Sequence, residues 1–192
     1  MFYKMYLYTK NKITYISLII ILICYCIGNG VSNTYAAPKS KEYYVKAAFL
    51  LNFVKFIEWP SHDLSDTSSS LTLCILGNDP FDEALKTIED KIVKNKKLVI
   101  KRCSRVEDIG ESQIIFICTS ERKKLPEILT KIKDRPILTV AETKNFCQSG
   151  GIVNFIVIKN KVRFEINVDV AKRSGLKISS KLLKLAKIIK ER

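Results

Sequence analysis

Wound as a helix, the segment YYVKAAFLLNFVKFIEWP at residues 43–60 is apolar on nearly every side. At 100° per residue, Trp59, Val45, Phe56, Phe49 and Phe53 form one arc with Asn52 inside it, while Lys46, Lys55 and Glu58 fall elsewhere. A helix apolar over most of its circumference is either sandwiched in a core or keeps one face for another subunit. The second apolar face, Leu50, Val54 and Ile57, is expected to be that intersubunit or partner surface, with burial in the monomer as the alternative. Asn52 reads as a buried amide satisfied by neighbouring backbone. Pro60 ends the helix at Trp59. The uncharged run 47–54 is far short of the roughly 20 residues a membrane span needs.

Beyond a polar loop at 61–70, apolar runs and helical patterns alternate. LTLCILG (71–77) reads as a buried strand, and NDPFDEALKTI as a helix with Asp79 at the N-cap and Pro80 in the first turn. Strands follow at 96–103, toward the end of 107–120, and at 136–140, with a helix at 125–134 opened by Pro126 and a short one near 142–147. The strands are continuous aliphatic runs rather than alternating ones, which is the pattern of burial on both faces. GIVNFIVIKNKVRFEIN (151–167) reads as a β-hairpin turning at Lys159 and Asn160. Asn167 and Asp169 can cap a short helix, and SSKLLKLAKIIK (179–190) has the spacing of an amphipathic helix. The sum is a single α/β domain: a mostly parallel, doubly wound-like sheet with helices on both faces and an antiparallel hairpin at its C-terminal edge.

The first 36 residues are a different kind of chain. Lys4, Lys10 and Lys12 precede an almost unbroken apolar run at 13–27, and Thr34, Tyr35 and Ala36 give a small-x-small end. This is the pattern of a secretory signal peptide over residues 1–36, cleaved after Ala36 or Ala37, with an uncleaved membrane anchor as the alternative. Neither Cys24 nor Cys26 follows a lipoprotein cleavage pattern. Residues 37–192 then form the mature domain, enough for one well-cored unit. It carries 30 basic and 19 acidic residues, a net charge of +11. The excess is mostly scattered lysine, with no arginine cluster or recognition helix, so nucleic acid is not an expected partner.

Four cysteines remain in the mature chain: Cys74, Cys103, Cys118 and Cys147. In an oxidising compartment they allow two disulfides in three connectivities, and at least one disulfide is expected. Their spacing fits neither a metal site nor a redox pair, and no cofactor is expected.

Candidate catalytic groups fail on geometry. His62, the one histidine, stands between Ser61 and Asp63, and adjacent residues do not converge their tips as a catalytic triad must. The loop Gly77, Asn78 and Pro80 follows the first buried strand, where doubly wound folds take ligands, but it lacks the glycines that admit a pyrophosphate. The chain is not expected to be an enzyme. A stripe of Lys177, Lys181, Lys184, Lys187 and Lys190 opposite Leu182, Leu185, Ala186 and Ile189 fits either a solvated helix docked on a core or a helix lying on a membrane.

Five stretches in order, VKAAFLLNFVKFIEWP, LCILGNDPF, PILTVAE, GGIVNFIV and VRFEINVDVAKRSGLKISSKLLKLA, resemble the YfiR family of periplasmic proteins over residues 41–189. The resemblance implies a non-catalytic repressor that binds the periplasmic sensor domain of a YfiN-like membrane diguanylate cyclase. Cyclic-di-GMP signalling and biofilm formation would then be lowered by binding. It also implies a YfiB-like outer-membrane lipoprotein that sequesters the repressor, and a homodimer. A periplasmic small-molecule-binding protein, with its ligand near Gly77, Asn78 and Pro80, is the alternative. The family's disulfides do not transfer. Cys147 matches one member of a pair whose other position, at or near Asn154, holds no cysteine. Cys74 matches one end of a second pair whose other end falls near Gln113, beside Ser112. Pairs outside the family pattern, such as Cys74 with Cys103, stay open.

Overall fold

The structure, a computed structural model, describes residues 37–60 and 69–190. The leader expected over residues 1–36 and the loop holding His62 lie outside the described residues. The chain opens with helix α1 (Ala37–Phe56), followed by β1 (Ile57–Glu58), β2 (Ser70–Leu76), β3 (Ile92–Val93), β4 (Lys96–Cys103) and β5 (Ile114–Ile117). Helix α2 (Leu125–Lys131), β6 (Leu138–Ala141), β7 (Val153–Ile158) and β8 (Lys161–Asn167) come next. Helix α3 (Val168–Arg173), β9 (Lys177–Ile178), α4 (Ser180–Leu183) and β10 (Lys187–Ile189) complete it.

Eight strands form one sheet in the order β10-β8-β7-β6-β5-β2-β4-β3, and β1 pairs separately with β9. Strands β2, β4, β5, β6 and β7 run parallel, and β8 returns antiparallel to β7. The expected parallel α/β sheet with a C-terminal hairpin is therefore present. The hairpin turns on Lys159 and Asn160, at φ of 49° and 58°, the left-handed pair that a two-residue turn requires. Successive strand residues feed opposite cores. Leu71, Leu73, Ile75, Phe116 and Val140 face α1, whereas Cys74, Leu76, Ile115 and Ile117 face Leu125 and Ile128 of the α2 side. Burial on both faces explains why no alternation is visible in β5 or β6, whose residues are all buried.

Helix α1 finds its partner in its own chain. Phe53 lies 5.8 Å from Phe155 and 5.2 Å from Phe164, and Phe49 lies 5.3 Å from Phe164, ring centre to ring centre. Leu50, Val54 and Ile57 are buried in the same core, so the expectation that they form an intersubunit face is corrected. The sheet is wide enough to cover that stripe alone. The helix also ends at Phe56, not Trp59, because Ile57 and Glu58 pair with Ile178 and Lys177. Asn52 is half-buried rather than enclosed.

Two further expectations change. After β2 the chain makes a 3₁₀ turn over Asp82–Thr87 instead of an α-helix. Asp79 is not its cap: its Oδ1 accepts the Phe81 N–H at 2.8 Å in a local turn. The C-terminal amphipathic helix is only Ser180–Leu183, and Lys187–Ile189 instead adds to the sheet edge parallel to β8. The cap at Asn167 holds: its Oδ1 accepts the N–H groups of Asp169 and Val170, and its amide donates to the Cys147 carbonyl at 2.8 Å. Cys74 and Cys103 form a disulfide across β2 and β4, with Cα atoms 6.1 Å apart, and Cys118 and Cys147 are free and buried.

Candidate functional site

The chain places β4 on one side of β2 and then crosses to β5 on the other, so the strand order reverses at β2. In open α/β sheets the crevice outside the carboxyl ends at such a reversal is where ligands sit. Gly77, Asn78 and Pro80 follow β2 there, but the chain's own side chains close over them. The Asn78 N–H donates to Ser120 Oγ at 3.0 Å. A Cβ on Gly77, which sits at φ +97°, would come 2.4 Å from that same oxygen and 2.8 Å from Glu121. Asp79 Oδ2 accepts the Arg102 Nε–H at 2.9 Å.

The same end of the sheet carries a buried polar cluster built from distant parts of the chain. Lys46, 3% exposed, enters from α1 and is bonded to Glu142, which follows β6, and to Glu42. The Tyr43 hydroxyl donates to Glu142 Oε1 at 2.9 Å, the Thr119 hydroxyl approaches that oxygen at 3.4 Å, and the Lys46 ammonium stands 4.4 Å from the centre of the Tyr43 ring. Burial, then the Glu142 carboxylate, hold the Tyr43 hydroxyl well above the usual phenol range, so it stays a proton donor. Cys118 is pushed up to about 12 by burial, then by Asp79, Glu142 and Glu121. A thiol so held is not a nucleophile near neutral pH. The cluster is suited to fixing α1 on the sheet rather than to bond making.

Sequence reasoning missed this cluster. A lysine inside a helix that is apolar on most sides was the available signal, because such a charge has to find a buried partner. Nothing local marks Glu142 as that partner.

The exposed apolar surface lies on the outer side of α1. Val45 is exposed there, and Phe49, Asn52 and Phe56 are half-buried, the two phenylalanines packed against the rim of the core. Val45 and Phe49 meet Val157 and Val162 of the β7–β8 hairpin in a groove of about 780 Å³, bordered by Lys41, Glu42, Lys161 and Arg163. Tyr44 and Ile158 are exposed as well. Burial falls along β7, from Val153, Asn154 and Phe155, which are buried, to Val157 and Ile158, which are exposed. Exposed valines and aromatics grouped in this way, rimmed by charge, have the composition of a protein-binding surface.

Three smaller cavities lie elsewhere. One of about 430 Å³ sits at the carboxyl ends of β5 and β6 among Thr119, Arg122, Thr143 and Lys144. One of about 310 Å³ lies between α2 and Ser149, Ile152 and Ser174, and one of about 260 Å³ between residues 104–107 and α2. Gly77, Asn78 and Pro80 line none of the four. Among the described residues no group of His, Cys, Asp and Glu could hold a metal ion, and no helix is long and apolar enough to cross a membrane.

A profile of the family described as DUF4154, YfiR/HmsC-like, matches residues 43–187, from the first turns of α1 to the first residue of β10. That span takes in the sheet, the buried cluster and the groove, and the chain belongs to the YfiR/HmsC-like family, a family of non-catalytic periplasmic regulators.

Proposed function

We propose that this chain is exported with loss of residues 1–36 and, in the periplasm, binds and inhibits the outer sensor domain of a YfiN-like membrane diguanylate cyclase, lowering cyclic-di-GMP. The observation that carries this reading is the family match over residues 43–187. The groove between α1 and the β7–β8 hairpin supports it by offering apolar surface beyond what the monomer needs for its own core. A YfiB-like outer-membrane lipoprotein would compete for the regulator, and a homodimer would present two such grooves. The test is co-purification of the exported protein with the cyclase outer domain, alongside cyclic-di-GMP measured in a deletion strain. Recovery of the outer domain and a rise in cyclic-di-GMP are expected. No recovery together with an unchanged level would sink the reading.

The cavity among Thr119, Arg122, Thr143 and Lys144 favours a second reading, a periplasmic small-molecule-binding protein whose ligand lies beside, not at, the loop of Gly77, Asn78 and Pro80. A thermal-shift screen separates the two, since a ligand at 100 times its Kd adds about 2.7 kcal/mol of stability.

A further inference from the structure

The C-terminal edge of the domain carries one-signed charge that the regulatory reading leaves unused. From Arg173 to Lys190 there is no acidic residue, and Lys177, Lys181, Lys184, Lys187 and Lys190 recur every three or four positions. All five are exposed, and among them stand Leu185, 66% exposed, and Ile188, 46% exposed. Leu176 and Leu182 turn into the core and Leu183 and Ala186 pack against it, which leaves Leu185 and Ile188 outside. The segment leads into β10, the outermost strand of the sheet, so its side chains lie along a free edge. Among the described residues the carboxylates that reach it are Glu165, which accepts from Lys187 at 2.9 Å, and Glu58, which stands across from Lys177 in the β1–β9 pair; Glu191 follows Lys190 in sequence.

Lysines on an edge strand also guard against edge-to-edge aggregation. That role calls for charge and does not account for two large bare aliphatic side chains among the lysines. Aliphatic groups bracketed by lysines suit a lipid headgroup boundary, where the apolar tips enter the interface and the long lysine stems carry their ammonium groups to the phosphates. A protein partner would instead call for desolvated anchor residues, whereas Leu185 and Ile188 stand exposed among the lysines.

We infer that this edge docks on a bilayer surface containing anionic phospholipid, with Leu185 and Ile188 at the headgroup boundary and Lys181, Lys184 and Lys190 on lipid phosphates. Such docking concentrates the protein beside membrane-embedded partners and needs no spanning helix.

The test is co-sedimentation of the exported protein with vesicles of phosphatidylcholine, alone or with about a quarter phosphatidylglycerol. Partition onto the anionic vesicles is expected to be about tenfold or more higher, and to fall steeply between about 0.05 and 0.3 M salt. The triple change Lys181→Glu, Lys184→Glu and Lys190→Glu should cost about tenfold or more in partition. Lys91→Glu, Lys123→Glu and Lys133→Glu, an equal charge change elsewhere, should leave it within about threefold. Leu185→Ser with Ile188→Ser should remove the binding that survives high salt. Equal losses in the two triple variants, or partition indifferent to phosphatidylglycerol, overturn the inference. So does loss of cyclase outer-domain binding with vesicle binding intact, which would mark the edge as a surface for an acidic protein. Circular dichroism confirms that each variant is folded, and outer-domain binding in solution, measured on the same variants, reads the regulatory proposal separately.

Discussion

The ammonium of Lys46 and the carboxylate of Glu142, 96 positions apart in sequence, are bonded to each other beneath α1, so one ion pair fixes the helix to the carboxyl end of β6. Glu42, Tyr43 and Thr119 supply the remaining partners, which is the condition under which a buried charge pair is tolerable. Removing one member leaves the other charged and buried. Lys46→Met or Glu142→Gln alone is therefore expected to cost about 3–5 kcal/mol, whereas an apolar replacement of both should recover most of that loss. Urea unfolding of the singles and the double checks this. Single variants within about 0.5 kcal/mol of wild type would show that the pair is open to water.

Core and groove on α1 separate by position. Leu50 is 1% exposed, so Leu50→Ala should cost about 2–5 kcal/mol and Leu50→Asp should unfold the domain. Val45 is 40% and Val157 52% exposed, so Val45→Asp and Val157→Asp should stay within about 0.5 kcal/mol of wild type. If the groove is the docking surface, those two changes abolish binding to the cyclase outer domain, read by pull-down. A folded double variant that binds as well as wild type would move the interface elsewhere. Sedimentation of the same variant reports whether a homodimer uses the groove.

The contrast between those stripes shows what the sequence could reveal. Strands β2, β4, β5 and β6, helix α2 at Pro126 and the hairpin at Lys159 and Asn160 were legible because each is specified locally, by an aliphatic run, a first-turn proline or a turn pair. Which of two apolar stripes on α1 meets the sheet was not. Both satisfy the same period, and the sheet takes residues from each: Phe53 of one arc meets Phe155 and Phe164, about a hundred positions away, while Leu50, Val54 and Ile57 of the other are buried in the same core. The segment 179–190 failed for a related reason. Leu182, Leu185, Ala186 and Ile189 suit a helix, but the unpaired backbone edge of Glu165, Ile166 and Asn167 offers hydrogen bonds that a lone terminal helix would not supply. The loop at Gly77 follows the first long strand, as the aliphatic run at 71–77 indicates, and the strand order reverses there. Its closure by Ser120 depends on a turn 42 positions later.

The disulfide between Cys74 and Cys103 closes a loop with a sequence separation of 29. Chain entropy for a loop of this length gives roughly 3–4 kcal/mol of stabilisation, on the view that the cross-link acts on the unfolded state. The exported protein, denatured without reductant, should expose only the thiols of Cys118 and Cys147 to alkylation. Cys74→Ala with Cys103→Ala should lower the urea midpoint and make it insensitive to dithiothreitol. Alkylation at Cys74 in the unreduced protein would contradict the pairing.

Alkaline pH should expose the two buried thiols. Cys118 and Cys147 are each pushed up to about 12, first by burial and then by carboxylates, Asp79, Glu142 and Glu121 around Cys118 and Glu165 beside Cys147. An unfolded thiol ionises near about 8.5. Below that pH both states keep the proton and the contribution to stability is fully present. Above it the unfolded chain releases the proton while the native state retains it, so the native state binds more protons and stability falls as pH rises. The slope is about 1.4 kcal/mol per pH unit for each thiol, until the native groups themselves ionise. Lysines titrate in the same window, so the reading is the difference between wild type and Cys118→Ala with Cys147→Ala, measured by urea unfolding from about pH 8 to 11. The stability gap between them should narrow steadily with pH, because the variant has no thiol proton to lose. A gap that stays constant would mean that the native thiols ionise as readily as unfolded ones, which is incompatible with their enclosure beneath α1 and the β7–β8 hairpin.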